Sequence, residues 1–95
     1  NYLVTLTAMA QEIFSPWLDR PGDGLAAILP LVRQTVNNLS HTENAIDVLT
    51  GPIARGDTDT VDRHRLALSP GMRKGYEALG KETIAQMLSR ERRIE

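Results

Sequence analysis

The chain of 95 residues has no cysteine. Disulfides, thiolate zinc sites and cysteine nucleophiles are thereby excluded, and the redox compartment is left unmarked. An excess of either charge is also missing: 11 basic against 12 acidic residues give a formal net charge of −1. No strong electrostatic partner is implied, and nucleic acid, which usually needs a basic face, is not expected. The one basic cluster, Arg90, Arg92 and Arg93, is interrupted by Glu91 and followed by Glu95, as in a solvated helix end. Long apolar runs are absent, and the start has no basic segment leading into an apolar one, so neither a transmembrane helix nor a signal peptide is visible. The expected location is cytoplasmic, with no membrane partner. The two histidines, His41 and His64, lie far apart and form no His-x-x-x-His pair, so no metal site is expected.

What is present is helical periodicity in a chain sized for one domain with one modest core. Leu3, Leu6, Ala10, Ile13 and Trp17 recur at helical spacing, widened by Tyr2, Met9 and Phe14, and mark a first helix that Ser15-Pro16 should kink or restart. "DRPGDG", Asp19 to Gly24, reads as a turn in which Asp23 caps the next helix. That second helix carries Leu25, Ile28, Leu29, Val32, Val36 and Leu39, with Pro30 inside it. A third is expected across Glu43 to Leu49, ended by Gly51-Pro52. A fourth begins near Asp57 or Thr58. The last starts at Ser69-Pro70, serine as cap and proline as first helical residue, and carries Met72, Tyr76, Leu79, Thr83, Met87 and Leu88. Gly75 and Gly80 weaken that helix and point to close contact with another backbone. The aromatic and methionine residues all fall in such stripes, where packing explains them better than a cofactor box. His41, in "LSHTEN", reads as a surface or capping residue. With no persistent alternation, the fold class is all-α, a compact bundle of about five helices over residues 1–95.

The stretch "TGPIARGDTDTVDRHRLAL", Thr50 to Leu68, concentrates the chemistry. Arg55-Gly56-Asp57 matches a cell-adhesion tripeptide, but three residues match often by chance, and Asp57 is better employed as a helix cap. A glycine-containing loop feeding a helix N-terminus presents amides, and Arg55 can add a bidentate contact to an anion, although the lysine and glycine spacing of a P-loop are lacking. The alternative is a well-capped turn with a surface arginine. Asp57, Thr60 and His64 fall on one helix face, where a histidine can exchange a proton near neutral pH and the other two can bind substrate oxygens. A partly exposed helix histidine is the plainer alternative.

Gly51, Pro52, Arg55, Gly56, Asp57, Thr60, Val61 and His64, at this spacing, resemble the most distinctive motif of the Rossmann-like, domain-of-unknown-function-2520 family, in which a dinucleotide-binding domain precedes an all-helical one. "NYLVTL" resembles that family's interdomain helix and "LPLVRQTVNNL" its proline-kinked second helix, so the resemblance covers most of the chain. The helical domain is in turn similar to the C-terminal domains of 6-phosphogluconate dehydrogenase, ketopantoate reductase and pyrroline-5-carboxylate reductase, which dimerise and complete an active site.

The resemblance implies a homodimerising, substrate-binding domain of an NAD(P)-dependent oxidoreductase acting on a small anionic 2-oxo acid or imine, ketopantoate first. It places Arg55, Gly56, Asp57 and Thr60 at the substrate, and His64 or Asn1 at the reacting group. Asn1 enters because in ketopantoate reductases an asparagine before a similar run faces the substrate. No Gly-x-Gly-x-x-Gly fingerprint occurs, so NADP or NAD would belong to an N-terminal Rossmann domain of a longer parent and this chain alone would bind none. The lysine acid of several relatives would lie before Asn1. The alternative is a non-catalytic oligomerisation module of a nucleotide-sensing protein, motivated by the two glycines of the last helix and the broad apolar stripes.

Overall fold

The computed structural model describes residues 1–94, Pro21 and Ile94 by their backbone alone; Glu95, behind the terminal arginines, lies outside the described residues. Among them the fold is all-α, five α-helices joined by short 3-10 turns without a strand. They fall into two compact units, the first spanning Asn1–Thr42 and the second beginning at Glu43.

In the first unit, α1 (Tyr2–Phe14) starts because Asn1 accepts the amides of Leu3 and Val4 on its side-chain oxygen, at 3.1 and 3.4 Å. It tightens into a 3-10 turn at Ser15–Trp17, where Pro16 has no amide to continue the helix and the Ser15 hydroxyl donates to the Glu12 carbonyl at 2.8 Å. The turn expected at Asp19–Gly24 is shorter than its composition promised. α2 (Pro21–Leu39) already begins at Pro21, whose fixed φ suits a first helical position, and Asp23 sits inside the first turn, favourable to the helix dipole, instead of capping it. Pro30 lies within α2 and ends neither half of it.

α1 packs on α2 at Gly24, where a Cβ would meet the Gln11 side chain and carbonyl oxygen at 3.4 Å each; hydrogen alone leaves room for that approach. One turn on is Ile28, at 6% exposure the one buried hydrophobic side chain among the described residues. At the far end His41 is the capping residue its position implied: Nδ1 lies 2.7 Å from the Asn37 carbonyl, beside the Ser40 hydroxyl, which donates to the same carbonyl at 2.6 Å.

The second unit departs more from expectation. The helix expected across Glu43 to Leu49 is a single 3-10 turn, Ala45–Val48: Asn44 makes no side-chain cap, and Leu49 is already extended. What holds that turn is distant in sequence, the Arg90 guanidinium meeting both Asp47 oxygens at 2.8 and 2.9 Å. Conversely, a helix stands where only loop was expected. α3 (Pro52–Arg55) is bracketed by Gly51 at φ +99° and Gly56 at φ +68°, conformations that side chains rarely adopt.

α4 (Thr58–Ala67) and α5 (Pro70–Ile94) begin where the sequence placed them, with Asp57 capping the first and the Ser69 hydroxyl accepting from the Met72 amide at 3.4 Å. Between them, Arg73 donates to the carbonyls of Arg65 and Leu68 at 2.7 and 3.1 Å, satisfying the end of α4 with a cation of α5. Gly80 faces the Ile53 side chain of α3, 3.6 Å from where a Cβ would stand; this is ordinary contact and not the close backbone approach expected of it.

Candidate functional site

Thr50 to Leu68 resolves into a helix stop followed at once by a helix start. With Gly56 left-handed, its amide bonds the Ile53 carbonyl at 3.1 Å and the Asp57 amide bonds the Pro52 carbonyl at 2.9 Å, the paired closure of a Schellman ending. Asp57 then turns its side chain forward. Oδ1 accepts from the Thr60 amide at 3.2 Å and Oδ2 from the Thr60 hydroxyl at 2.7 Å. Those two bonds, the hydroxyl first, hold the Asp57 carboxyl below the ordinary aspartate range, with a smaller pull from Arg55 and Arg63. The Thr60 hydroxyl also accepts from Arg63 at 3.3 Å.

These bonds redistribute the anion site read from composition. The amides of Arg55, Gly56, Asp57, Thr58 and Val61 donate to backbone carbonyls, and that of Thr60 donates to Asp57. The Arg55 guanidinium remains available to an anion at the loop, exposed and loosely held 3.7 Å from Asp57. The same bonds bear on a dinucleotide, whose pyrophosphate needs a strand, a glycine loop and open helix amides. The described residues contain no strand, and the amides of Arg55 to Thr58, Thr60 and Val61 are already bonded.

One turn beyond Thr60, His64 reaches α5, with Nδ1 3.0 Å from the Tyr76 hydroxyl and the rings edge-to-face, centroids 5.9 Å apart. With Nδ1 engaged by Tyr76, the ring is oriented and Nε2 is the nitrogen that this bond leaves over. Tyr76 is the site residue that sequence reading missed. It stood in the packing stripe of the last helix, and the signal available was only a phenol and an imidazole on consecutive helices.

Tyr76 also lines a cavity of about 500 Å³ between α3, α4 and α5, with Ile53, Val61, Ile84 and Gly80 as its apolar wall. Its rim is an ion-pair ladder: Arg65 holds Glu77 at 3.0 Å and Asp62 at 3.2 Å, and these two carboxylates, Glu77 foremost, raise the Arg65 pKa. Gly56 and Asp57 line this cavity; Arg55, Thr60 and His64 stand outside its lining. The structure thus joins Arg55, Asp57 and Thr60 by contact and gives His64 a partner on the next helix. Asn1 belongs to the first unit, where it caps α1.

Fold and site together define an all-helical domain with a stop-start loop, a His–Tyr pair and a small amphipathic cavity. The chain belongs to the family described as Domain of unknown function (DUF2520), whose model matches residues 1–83. No curated protein and no solved structure matches the chain. No helix among the described residues is long and apolar enough to cross a membrane.

Proposed function

We propose that this domain is the dimerising, substrate-binding part of an NAD(P)-dependent oxidoreductase that acts on a small 2-oxo acid or imine, ketopantoate-like. The observation that carries the reading is the His64–Tyr76 pair: a titratable ring fixed through one nitrogen, leaving the other to give or take a proton at a carbonyl or imine. Arg55, at the end of α3 before the loop into α4, suits the anionic group of such a substrate. Asp57 and Thr60 bind each other and act by holding Arg55 and the start of α4 in place. Similarity of the helical domain to those of 6-phosphogluconate dehydrogenase, ketopantoate reductase and pyrroline-5-carboxylate reductase supports the reaction class as analogy. The cofactor would be held by a separate Rossmann domain of the parent, and no step here runs through it.

The test is turnover of the full-length parent with NADPH against a panel of 2-oxo acids and cyclic imines, repeated with His64→Ala. Loss of roughly 100-fold or more in kcat is expected if His64 moves the proton; undiminished turnover removes it from the mechanism. A second reading, a non-catalytic oligomerisation module of a nucleotide-sensing protein, is favoured by the exposure of large apolar side chains along α1. A dimeric parent without turnover on any substrate of the panel would select it.

A further inference from the structure

The cavity between α3, α4 and α5 is built wholly within the second unit, which begins at Glu43. Its wall is apolar. Tyr76, Gly80 and Ile84 follow one another at four-residue spacing on α5, a row about 12 Å long at about 1.5 Å per residue, and Ile53 of α3 and Val61 of α4 complete it. The charged residues of the lining are paired, with one exception. Arg65 holds Asp62 and Glu77, and Asp57 accepts from Thr60. Lys81 stands four residues beyond Glu77, the spacing at which glutamate and lysine pair on a helix, but Glu77 is taken by Arg65 at 3.0 Å. Lys81 is left as the one charged residue of the lining without a hydrogen bond or ion pair among the described residues.

We propose that this cavity is a binding site for a medium-length aliphatic monocarboxylate, its chain along the Tyr76–Gly80–Ile84 row and its carboxylate on the Lys81 ammonium. The site goes beyond the proposed function: Arg55, Thr60 and His64 lie outside the lining, so this ligand is a second molecule beside the substrate. Size and lining agree with it. At about 500 Å³ the cavity falls within the roughly 300–1,000 Å³ of small-molecule sites, which are mostly apolar with a few placed polar groups. Charge selects the head group. The lining sets three carboxylates, of Asp57, Asp62 and Glu77, against two cations, so a monoanion meets one unmatched ammonium, whereas the second charge of a phosphate would meet carboxylates alone. Tyr76 gives the site an outward signal. Its ring lines the cavity while its hydroxyl lies 3.0 Å from His64 Nδ1, so a chain lying on the ring is felt at His64.

The probe is octanoate, added to the chain carrying labelled isoleucine methyls and followed by NMR. Saturable shifts are expected at Ile53, Ile84 and the His64 ring, with Ile13 and Ile28 of the first unit unmoved. Affinity should climb about fourfold per methylene from butanoate to octanoate. Lys81→Gln should weaken octanoate by about tenfold, to the level of octanol, and leave octanol itself unchanged. Gly80→Leu starts from a Cβ in ordinary contact with Ile53 at 3.6 Å, so it should fill the row and abolish binding while circular dichroism shows the helices kept. Three results overturn the proposal: no saturable shift at Ile53 and Ile84, octanol binding as tightly as octanoate, or a helical Gly80→Leu chain that binds as before. None of them bears on the turnover test of His64, because neither Lys81 nor Gly80 takes part in that reading.

Discussion

Replacing Gly56 by alanine isolates backbone conformation from packing. A Cβ at Gly56 would meet nothing within 4 Å, and the same holds at Gly71 in the first turn of α5, so neither substitution creates a clash. They differ in φ. Gly56 stands at +68°, where an L side chain crowds its own carbonyl at a cost of about 1–2 kcal/mol; Gly71 has no such positive φ. Against this, alanine lowers the entropy of the unfolded chain, a gain of about 0.4–1 kcal/mol wherever the native φ is acceptable. Taken at mid-values, the balance at Gly56 is a loss of about 0.8 kcal/mol, and at Gly71 a gain of up to about 1 kcal/mol. Thermal unfolding by circular dichroism should therefore show Gly56→Ala lowering Tm by about 3–6 °C and Gly71→Ala raising it, given about 4–8 °C per kcal/mol in a domain of this size. Gly56→Asn should fall between Gly56→Ala and the parent chain, because asparagine tolerates the left-handed region. Equal signs for the two alanines, or a Gly56→Ala chain as stable as the original, would refute the claim that the left-handed turn ends α3.

The other predictions concern charge and the site. Because Thr60 holds the folded Asp57 carboxyl below its ordinary value of 3.8, its contribution to stability is full above that value and is lost as pH falls through the lower, folded one. The gap in urea midpoint between the chain and Asp57→Ala should thus be constant near neutrality and close only in strong acid; a gap that closes nearer pH 6 would assign the effect to another group. Asp47 is lowered by its Arg90 hydrogen bonds and follows the same sign, so Asp47→Asn should speed amide exchange in Ala45–Val48 while α4 keeps its protection. Tyr76→Phe keeps the ring but deletes the hydroxyl that orients His64, so it should lower kcat of the parent less than His64→Ala does and alter the pH profile; an unchanged profile would leave Tyr76 as packing alone.

The starts of α4 and α5 were legible because each depends on a few adjacent residues, whereas α2 starts before the Asp23 cap expected for it and α3 was not expected at all. Asp57 before Thr58 and Ser69 before Pro70 say where α4 and α5 begin whatever surrounds them, and both side chains accept the bonds their positions imply. Asn1, which the family resemblance assigns to the reacting group, is a cap that the sequence reading did not name, although an asparagine before a helical stripe suits that place. Structure that depends on partners distant in the chain was not legible. Composition from Glu43 to Leu49 suits an α-helix as well as a 3-10 turn, and the anchor of that turn is Arg90, 43 residues away. The site divides along the same line.

Gly51, Gly56 and Asp57 announce a stop and a start, yet composition does not say that this stop-start geometry bonds the amides of Arg55 to Thr58 and of Thr60. Nor does spacing on α4 alone reveal that His64 is held from α5. That pairing depends on how Ser69-Pro70 turns α5 back and how Arg73 ties it to the end of α4. The dependence makes a proposal about His64 also one about that corner. Arg73→Gln removes no group of the site, yet it should loosen the Tyr76 hydroxyl from His64, seen as weaker contacts between the two rings in NMR spectra. Ring contacts that survive Arg73→Gln at full strength would show that α4 and α5 hold the pair without this tie.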